Sequence, residues 1–117
     1  MKVLCVDDEP DLLYLFTLVL THAGHEVVQA SNGEEALARI AESGLPDIVV
    51  TDLMMPVMDG RALIEHLRSN PDSARVPILL VTAISDADVP ADAVLSKSLG
   101  PYRLLDMVEE LGQRGAA

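Results

Sequence analysis

Five polar residues of this sequence either close or directly follow apolar segments rich in β-branched residues. They are Asp7, Asp8, Asp52, Thr82 and Lys97. In an open parallel sheet the carboxyl ends of the strands lie along one edge, and ligands bind at that edge. The sequence therefore predicts that these five side chains converge on a single site.

The chemistry of such a site follows from its charges. Three carboxylates within about 5 Å would repel one another by roughly 3 kcal/mol per pair at an effective dielectric near 20, and one lysine cannot offset this. An all-oxygen, carboxylate-rich site suits Mg²⁺. A carboxylate beside a metal, a hydroxyl and an ammonium can accept a phosphoryl group, since these groups neutralise the transferred oxygens. Asp52, Thr82 and Lys97 fit the roles of nucleophile, hydroxyl and ammonium.

The elements that must position these residues alternate along the chain. Strands are predicted over residues 2–6, 26–30, 47–51, 77–82 and 93–95, with amphipathic segments between them. This alternation is typical of a parallel sheet covered by helices on both faces. Helical spacing from Leu12 ends at Gly24, a second helix begins at Asn32 and ends by Gly44, and two more follow Gly60 and Pro101.

One predicted connection is unusually short. Only residues 83–92, which include Pro90, separate the fourth and fifth strands. A parallel crossover needs about ten to twelve residues including its helix. The fourth helix of the fold is therefore predicted to be shortened or missing.

Composition narrows the possible partners and location. The chain has 117 residues, which predicts a single domain over 1–117, and a net charge of −11 that disfavours direct contact with nucleic acid or anionic lipid. The single cysteine, Cys5, lies in an apolar strand and indicates a buried thiol in a reducing compartment. No apolar run is long enough for membrane insertion, so we expect a cytoplasmic protein.

Two motifs resemble those of a known family, the receiver domain of two-component response regulators. They are Val-Asp-Asp-Glu-Pro at 6–10 and Asp-Leu-Met-Met-Pro-Val-Met-Asp-Gly at 52–60, and the resemblance covers nearly the whole chain. It implies a flavodoxin-like, doubly wound α/β fold with five parallel strands in the order 2-1-3-4-5, an order for which this family is itself a standard example.

The resemblance also implies roles for individual residues. Asp52 would take a phosphoryl group from a sensor histidine kinase or phosphotransfer protein. Asp8, Asp52 and the main-chain carbonyl of Met54 would hold Mg²⁺, with Asp7 ordering a water on the ion. Thr82 and Lys97 would contact the phosphoryl group.

The sequence departs from the family after the fourth strand. Val94 stands where an aromatic is usual, and Ser98 and Leu99 replace the usual proline and phenylalanine. The leading hypothesis is a phosphorylation-controlled signalling module that catalyses only its own phosphorylation and dephosphorylation and contacts an unknown downstream protein. One alternative is a pseudo-receiver that binds a protein constitutively. A phosphohydrolase with an aspartate nucleophile is less favoured, because no Asp-x-Asp pair follows a predicted strand.

Overall fold

The sheet has five parallel strands. The computed structural model describes residues 1–83 and 88–116, with side chains described through 113. Its strands are β1 (Lys2–Val6), β2 (Glu26–Ala30), β3 (Ile48–Thr51), β4 (Ile78–Thr82) and β5 (Ala93–Ser96). They pair in the order β2-β1-β3-β4-β5. The predicted doubly wound sheet and its strand order are confirmed.

Helices cover both faces of this sheet. They are α1 (Pro10–His22), α2 (Gly33–Ser43), α3 (Gly60–Ser69) and α4 (Pro101–Ala116), and a 3₁₀ turn over Lys97–Leu99 joins β5 to α4. Helices α1 and α4 pack on one face, and α2 and α3 pack on the other. Within the described residues no helix is both long and apolar enough to cross a bilayer.

The two faces of the sheet carry separate apolar clusters because successive side chains of a strand point to opposite faces. In β1, Val3 and Cys5 pack with α1 and α4, whereas Leu4 and Val6 pack with α2 and α3. Strand β4 is buried along its whole length. Burial on both faces explains why the inner strands are nearly continuous apolar runs.

The helix ends follow from local sequence. Gly24, just after α1, has a φ of 96°, a left-handed conformation that glycine adopts without steric cost. At the start of α2, the Asn32 side chain accepts a hydrogen bond from the Glu35 amide at 2.8 Å. The predicted end of α1 at Gly24 and start of α2 at Asn32 are confirmed, whereas α1 begins at Pro10, two residues before the predicted Leu12.

The connection between β4 and β5 is held by two arginines of α3. Arg61 donates to the Asp88 carbonyl at 2.6 Å. Arg68 donates to the Pro90 carbonyl at 3.0 Å and to the Asp92 carboxylate at 2.7 Å. The described residues of this connection, 83 and 88–92, contain no helix, in keeping with the predicted loss of the fourth helix, and residues 84–87 lie outside the described part.

Candidate functional site

The register of the central strands brings two aspartates to the same level. Strand β1 pairs with β3 so that Val6 lies opposite Thr51, and the Asp52 amide donates to the Val6 carbonyl at 3.0 Å. Asp7 is the residue after Val6 in β1, and Asp52 is the residue after Thr51 in β3. Both carboxylates therefore leave the sheet at its carboxyl edge, side by side.

Both carboxylates are fixed by backbone amides. Asp7 accepts a hydrogen bond from the Glu9 amide at 2.9 Å, and Asp52 accepts one from the Leu53 amide at 2.7 Å. Asp7 and Asp52 are only 3% and 5% exposed, whereas Asp8 is exposed. In each of these two buried carboxylates one oxygen accepts the backbone hydrogen bond, and the second oxygen does not take part in it.

Three carboxylates converge closely enough to share one cation. One oxygen each from Asp7, Asp8 and Asp52 lies within 4.8 Å of the others. Carboxylate oxygens are the donors that a hard divalent cation prefers, and an exposed member leaves room for water. The donor set therefore fits Mg²⁺.

Lys97 reaches this cluster from the 3₁₀ turn after β5. Its Nζ lies 2.9 Å from Asp52 Oδ2, 3.0 Å from Glu9 Oε1 and 3.4 Å from Asp7 Oδ2. The contact with Asp52 forms although Ser98 follows the lysine where the family usually has proline. Burial disfavours the charged ammonium, but hydrogen bonds to Asp52 and Glu9 outweigh it and raise the pKa of Lys97 above its usual value. Lys97 is therefore a permanent cation at this site.

The pKa of Asp7 is also raised, and the main cause is burial. The nearby charge of Asp52 acts in the same direction, while the Glu9 amide and Lys97 oppose it. An acid whose pKa rises on folding is destabilised in its ionised form. The cluster joins three carboxylates and one lysine, so it keeps a net negative charge that a cation would relieve.

Thr82 and Met54 lie at or just after the ends of two neighbouring strands, β4 and β3. Thr82 is the last residue of β4 and is buried. Since Thr51 lies opposite Leu80, Thr82 extends two residues farther along its strand, at the level of the loop after Asp52. Met54 lies in that loop and is 64% exposed.

Gly60 allows the loop after Asp52 to fold back tightly. The Gly60 amide donates to the Leu53 carbonyl at 2.8 Å. A Cβ atom at this position would lie 2.1 Å from the main-chain oxygen of Asp52. Real Cβ atoms do not approach backbone this closely, so the loop requires glycine here. Asp59 then caps α3 by accepting from the Ala62 amide at 2.9 Å.

Sequence reasoning missed the contact of Glu9 with Lys97. Glu9 occupies the N-cap of α1, yet its side chain makes no capping hydrogen bond. Short side chains are preferred at this position, so a glutamate there was the only signal in the sequence. The ion pair joins residues 88 positions apart, and only the fold brings them together.

A doubly wound sheet with an acidic, lysine-paired carboxyl edge is the arrangement expected of a phosphoryl-accepting signalling domain. The family model for the response regulator receiver domain matches residues 3–109. This chain belongs to that family. As a receiver domain it is a signalling protein, and the comparisons favour neither the pseudo-receiver nor the phosphohydrolase.

Individual relatives agree with this assignment. The chain is 40% identical over 99 residues to the alkaline phosphatase synthesis transcriptional regulatory protein PhoP of Bacillus subtilis, and the match covers 85% of this chain but 39% of PhoP. It thus spans well under half of that relative's length.

Solved structures show the same fold. The chemotaxis response regulator CheY4 of Vibrio cholerae matches with a TM-score of 0.85 and 32% identity, covering 94% of this chain and 97% of CheY4. The response regulator TrrA of Thermotoga maritima, in complex with Mg²⁺ and BeF, matches with a TM-score of 0.83 and 34% identity, covering 94% of this chain and 97% of TrrA.

Proposed function

We propose that Asp52 is the phosphoacceptor of this receiver domain and that it takes its phosphoryl group from a histidine kinase or phosphotransfer protein. The observation that carries the proposal is the geometry at Asp52. Its carboxylate is buried, fixed by the Leu53 amide at 2.7 Å and paired with Lys97 at 2.9 Å. Asp7 is equally buried, but its contact with Lys97 is longer, at 3.4 Å.

The transfer step needs a nucleophile and groups that neutralise charge. One carboxylate oxygen of Asp52 attacks phosphorus, a new O–P bond forms, and the P–N bond to the donor histidine breaks. Charge builds on the oxygens of the transferred group. Lys97, already a cation beside Asp52, would hydrogen-bond one of these oxygens, and the hydroxyl of Thr82 would donate to another.

Asp8, Asp52 and the main-chain carbonyl of Met54 would hold Mg²⁺ in this proposal, and Asp7 would order a water on the ion. The support is the oxygen-only donor set, with carboxylate oxygens within 4.8 Å of one another. When bound, the ion supplies positive charge to the phosphoryl oxygens. The chain's own contribution is to keep Asp7 and Asp52 in place before the ion arrives, through their backbone hydrogen bonds.

Signalling would then proceed through protein contacts. A phosphoryl group adds nearly two negative charges and three acceptor oxygens, enough to reorder neighbouring loops and change a binding surface. The net charge of −11 favours protein partners over direct contact with nucleic acid. The catalysis required of the chain is limited to its own phosphorylation and dephosphorylation.

Intact-mass spectrometry tests the proposal directly. The chain is incubated with Mg²⁺ and a small acyl phosphate, beside an Asp52→Asn variant and an Asp59→Asn variant. We expect one added phosphoryl mass in the parent and in Asp59→Asn, and none in Asp52→Asn. An unmodified parent, or a modified Asp52→Asn chain, would contradict the assignment.

A further inference from the structure

Glu9 is a further partner of Lys97, and neither helix capping nor the proposed transfer step explains its position. The Lys97 ammonium has three hydrogen-bond donors. Asp52 and Glu9 accept from it at 2.9 and 3.0 Å, and Asp7 lies 3.4 Å away. Three carboxylates thus share the one ammonium of Lys97.

Glu9 differs from the other two partners in how it is held. The side chains of Asp7 and Asp52 are 4% and 6% exposed and are anchored by backbone amides. The Glu9 side chain is 62% exposed, and among the described residues its one side-chain hydrogen bond is to Lys97. It is therefore the partner that Lys97 can exchange most easily.

We propose that Glu9 is a resting-state counterion of Lys97 that must give way when Asp52 is phosphorylated, and that it thereby restrains phosphorylation. The inference rests on the proposed function of Asp52. The oxygens of Glu9 and Asp52 contact the same Nζ, so the phosphoryl group arrives within a few ångströms of the Glu9 carboxylate. Glu9 then competes for a lysine donor and repels the incoming anion.

The proposal gives Glu9 a role as a positioning residue that acts through Lys97. In the resting state it occupies a donor of the lysine and keeps it charged and in place. During transfer the same contact is an obstacle, because the phosphoryl oxygens need that donor. Glutamine can still accept from Lys97 without the charge, whereas alanine removes both charge and acceptor.

The test compares Glu9→Gln and Glu9→Ala with a matched control, Asp11→Asn. Asp11 is an exposed carboxylate in the first turn of α1. Within the described residues it forms no ion pair with Lys97. Phosphorylation rates are measured over a range of acyl phosphate concentrations with Mg²⁺. This separates the maximal rate from the half-saturating donor concentration.

We expect Glu9→Gln to raise the apparent second-order rate constant about two- to fivefold, the range for a partly exposed ion pair. The gain should come from a lower half-saturating concentration and should shrink at 1 M salt, where charges are screened within about 3 Å. Binding of beryllofluoride, an inert phosphoryl mimic, should tighten by the same factor in calorimetry. Glu9→Ala should gain at least as much.

Two results would overturn the inference. One is a Glu9→Gln rate no different from that of Asp11→Asn, which would mean that only net charge matters. The other is a Glu9→Ala chain slower than the parent, which would mean that Glu9 helps Lys97 during transfer. A parent chain that takes no phosphoryl group would instead refute the proposed function of Asp52.

Discussion

Two connections begin at the functional edge of the sheet, one after β3 and one after β4, and their described parts are held in place by different means. The loop after Asp52 is fixed by main-chain contacts: the Gly60 amide donates to the Leu53 carbonyl, and the Met58 carbonyl accepts from the Gly33 amide at 2.9 Å. The described part of the connection before β5 is held instead by the side chains of Arg61 and Arg68.

The difference separates the chemistry from the surface beside it. Main-chain contacts depend on close approach and hence on glycine, so the loop after Asp52 tolerates little change. Side-chain contacts depend on single residues that lie outside the acidic cluster. We therefore expect the β4–β5 connection to vary without loss of phosphorylation, whereas the loop after Asp52 should not.

The largest expected effect is that of a substitution in the loop after Asp52. Gly60→Ala places a Cβ 2.1 Å from the Asp52 carbonyl oxygen, and rigid backbone must move to accept it. We expect a loss of about 3 kcal/mol in the free energy of unfolding, the upper end for overpacking, together with slower phosphorylation. Urea unfolding measures the first quantity and intact mass the second.

The same substitution elsewhere provides the control. At Gly112, in α4, a Cβ would meet only the flexible end of the Met1 side chain. Gly112→Ala should therefore change stability by less than about 1 kcal/mol, since alanine also favours the helix. Equal effects at both positions would show that the close approach at Gly60 is unimportant.

The next largest effect concerns the connection between β4 and β5, which Arg68 holds in place. Arg68 also donates to the Ala74 and Val76 carbonyls at 2.9 and 2.8 Å, so it joins three segments. Arg68→Ala should lower the free energy of unfolding by about 2 kcal/mol, because hydrogen bonds from a charged group are lost together. Asp52 should still be phosphorylated at the parent rate at temperatures where the variant is folded.

Two variants refine this result. Arg68→Lys keeps the charge but lacks the planar fork, so its stability should fall between the parent and alanine. Arg61→Ala removes one exposed hydrogen bond and should cost less than about 1 kcal/mol. If Arg68→Ala stopped phosphorylation in a folded chain, the connection and the chemistry would not be separable.

Much of this arrangement could be predicted from the sequence. The strands carry continuous apolar runs, and the aspartates directly follow them, so a parallel sheet with Asp7 and Asp52 at its carboxyl edge follows from the pattern. The strand order was implied by the family resemblance. Helix ends at Gly24 and Asn32 follow from local chemistry. These features depend on residues that are neighbours along the chain.

What could not be predicted depends on distant pairs. The ion pair of Glu9 with Lys97 requires the orientation of a 3₁₀ turn at the far end of the chain. The contacts of Arg68 with Pro90 and Asp92 join α3 to a distant segment by side-chain hydrogen bonds, for which no spacing rule exists. The close approach at Gly60 requires the exact path of the loop, although the glycine itself was visible in the motif.

The smallest expected effect concerns backbone strain within the loop after Asp52. Val57 has a φ of 69°, a left-handed conformation that is unfavourable for a β-branched residue, and its side chain is 77% exposed. Val57→Asn should raise the free energy of unfolding by about 1 kcal/mol, since asparagine adopts this conformation more readily and little apolar burial is lost. The matched control is Val94→Asn in β5, also exposed but in ordinary strand geometry, where asparagine should be neutral or destabilising. Urea unfolding of both variants decides the point: an equal gain at both positions would assign the effect to reduced surface hydrophobicity, and only a gain confined to Val57 would show that the main-chain contacts around Asp52 hold the loop in a strained path.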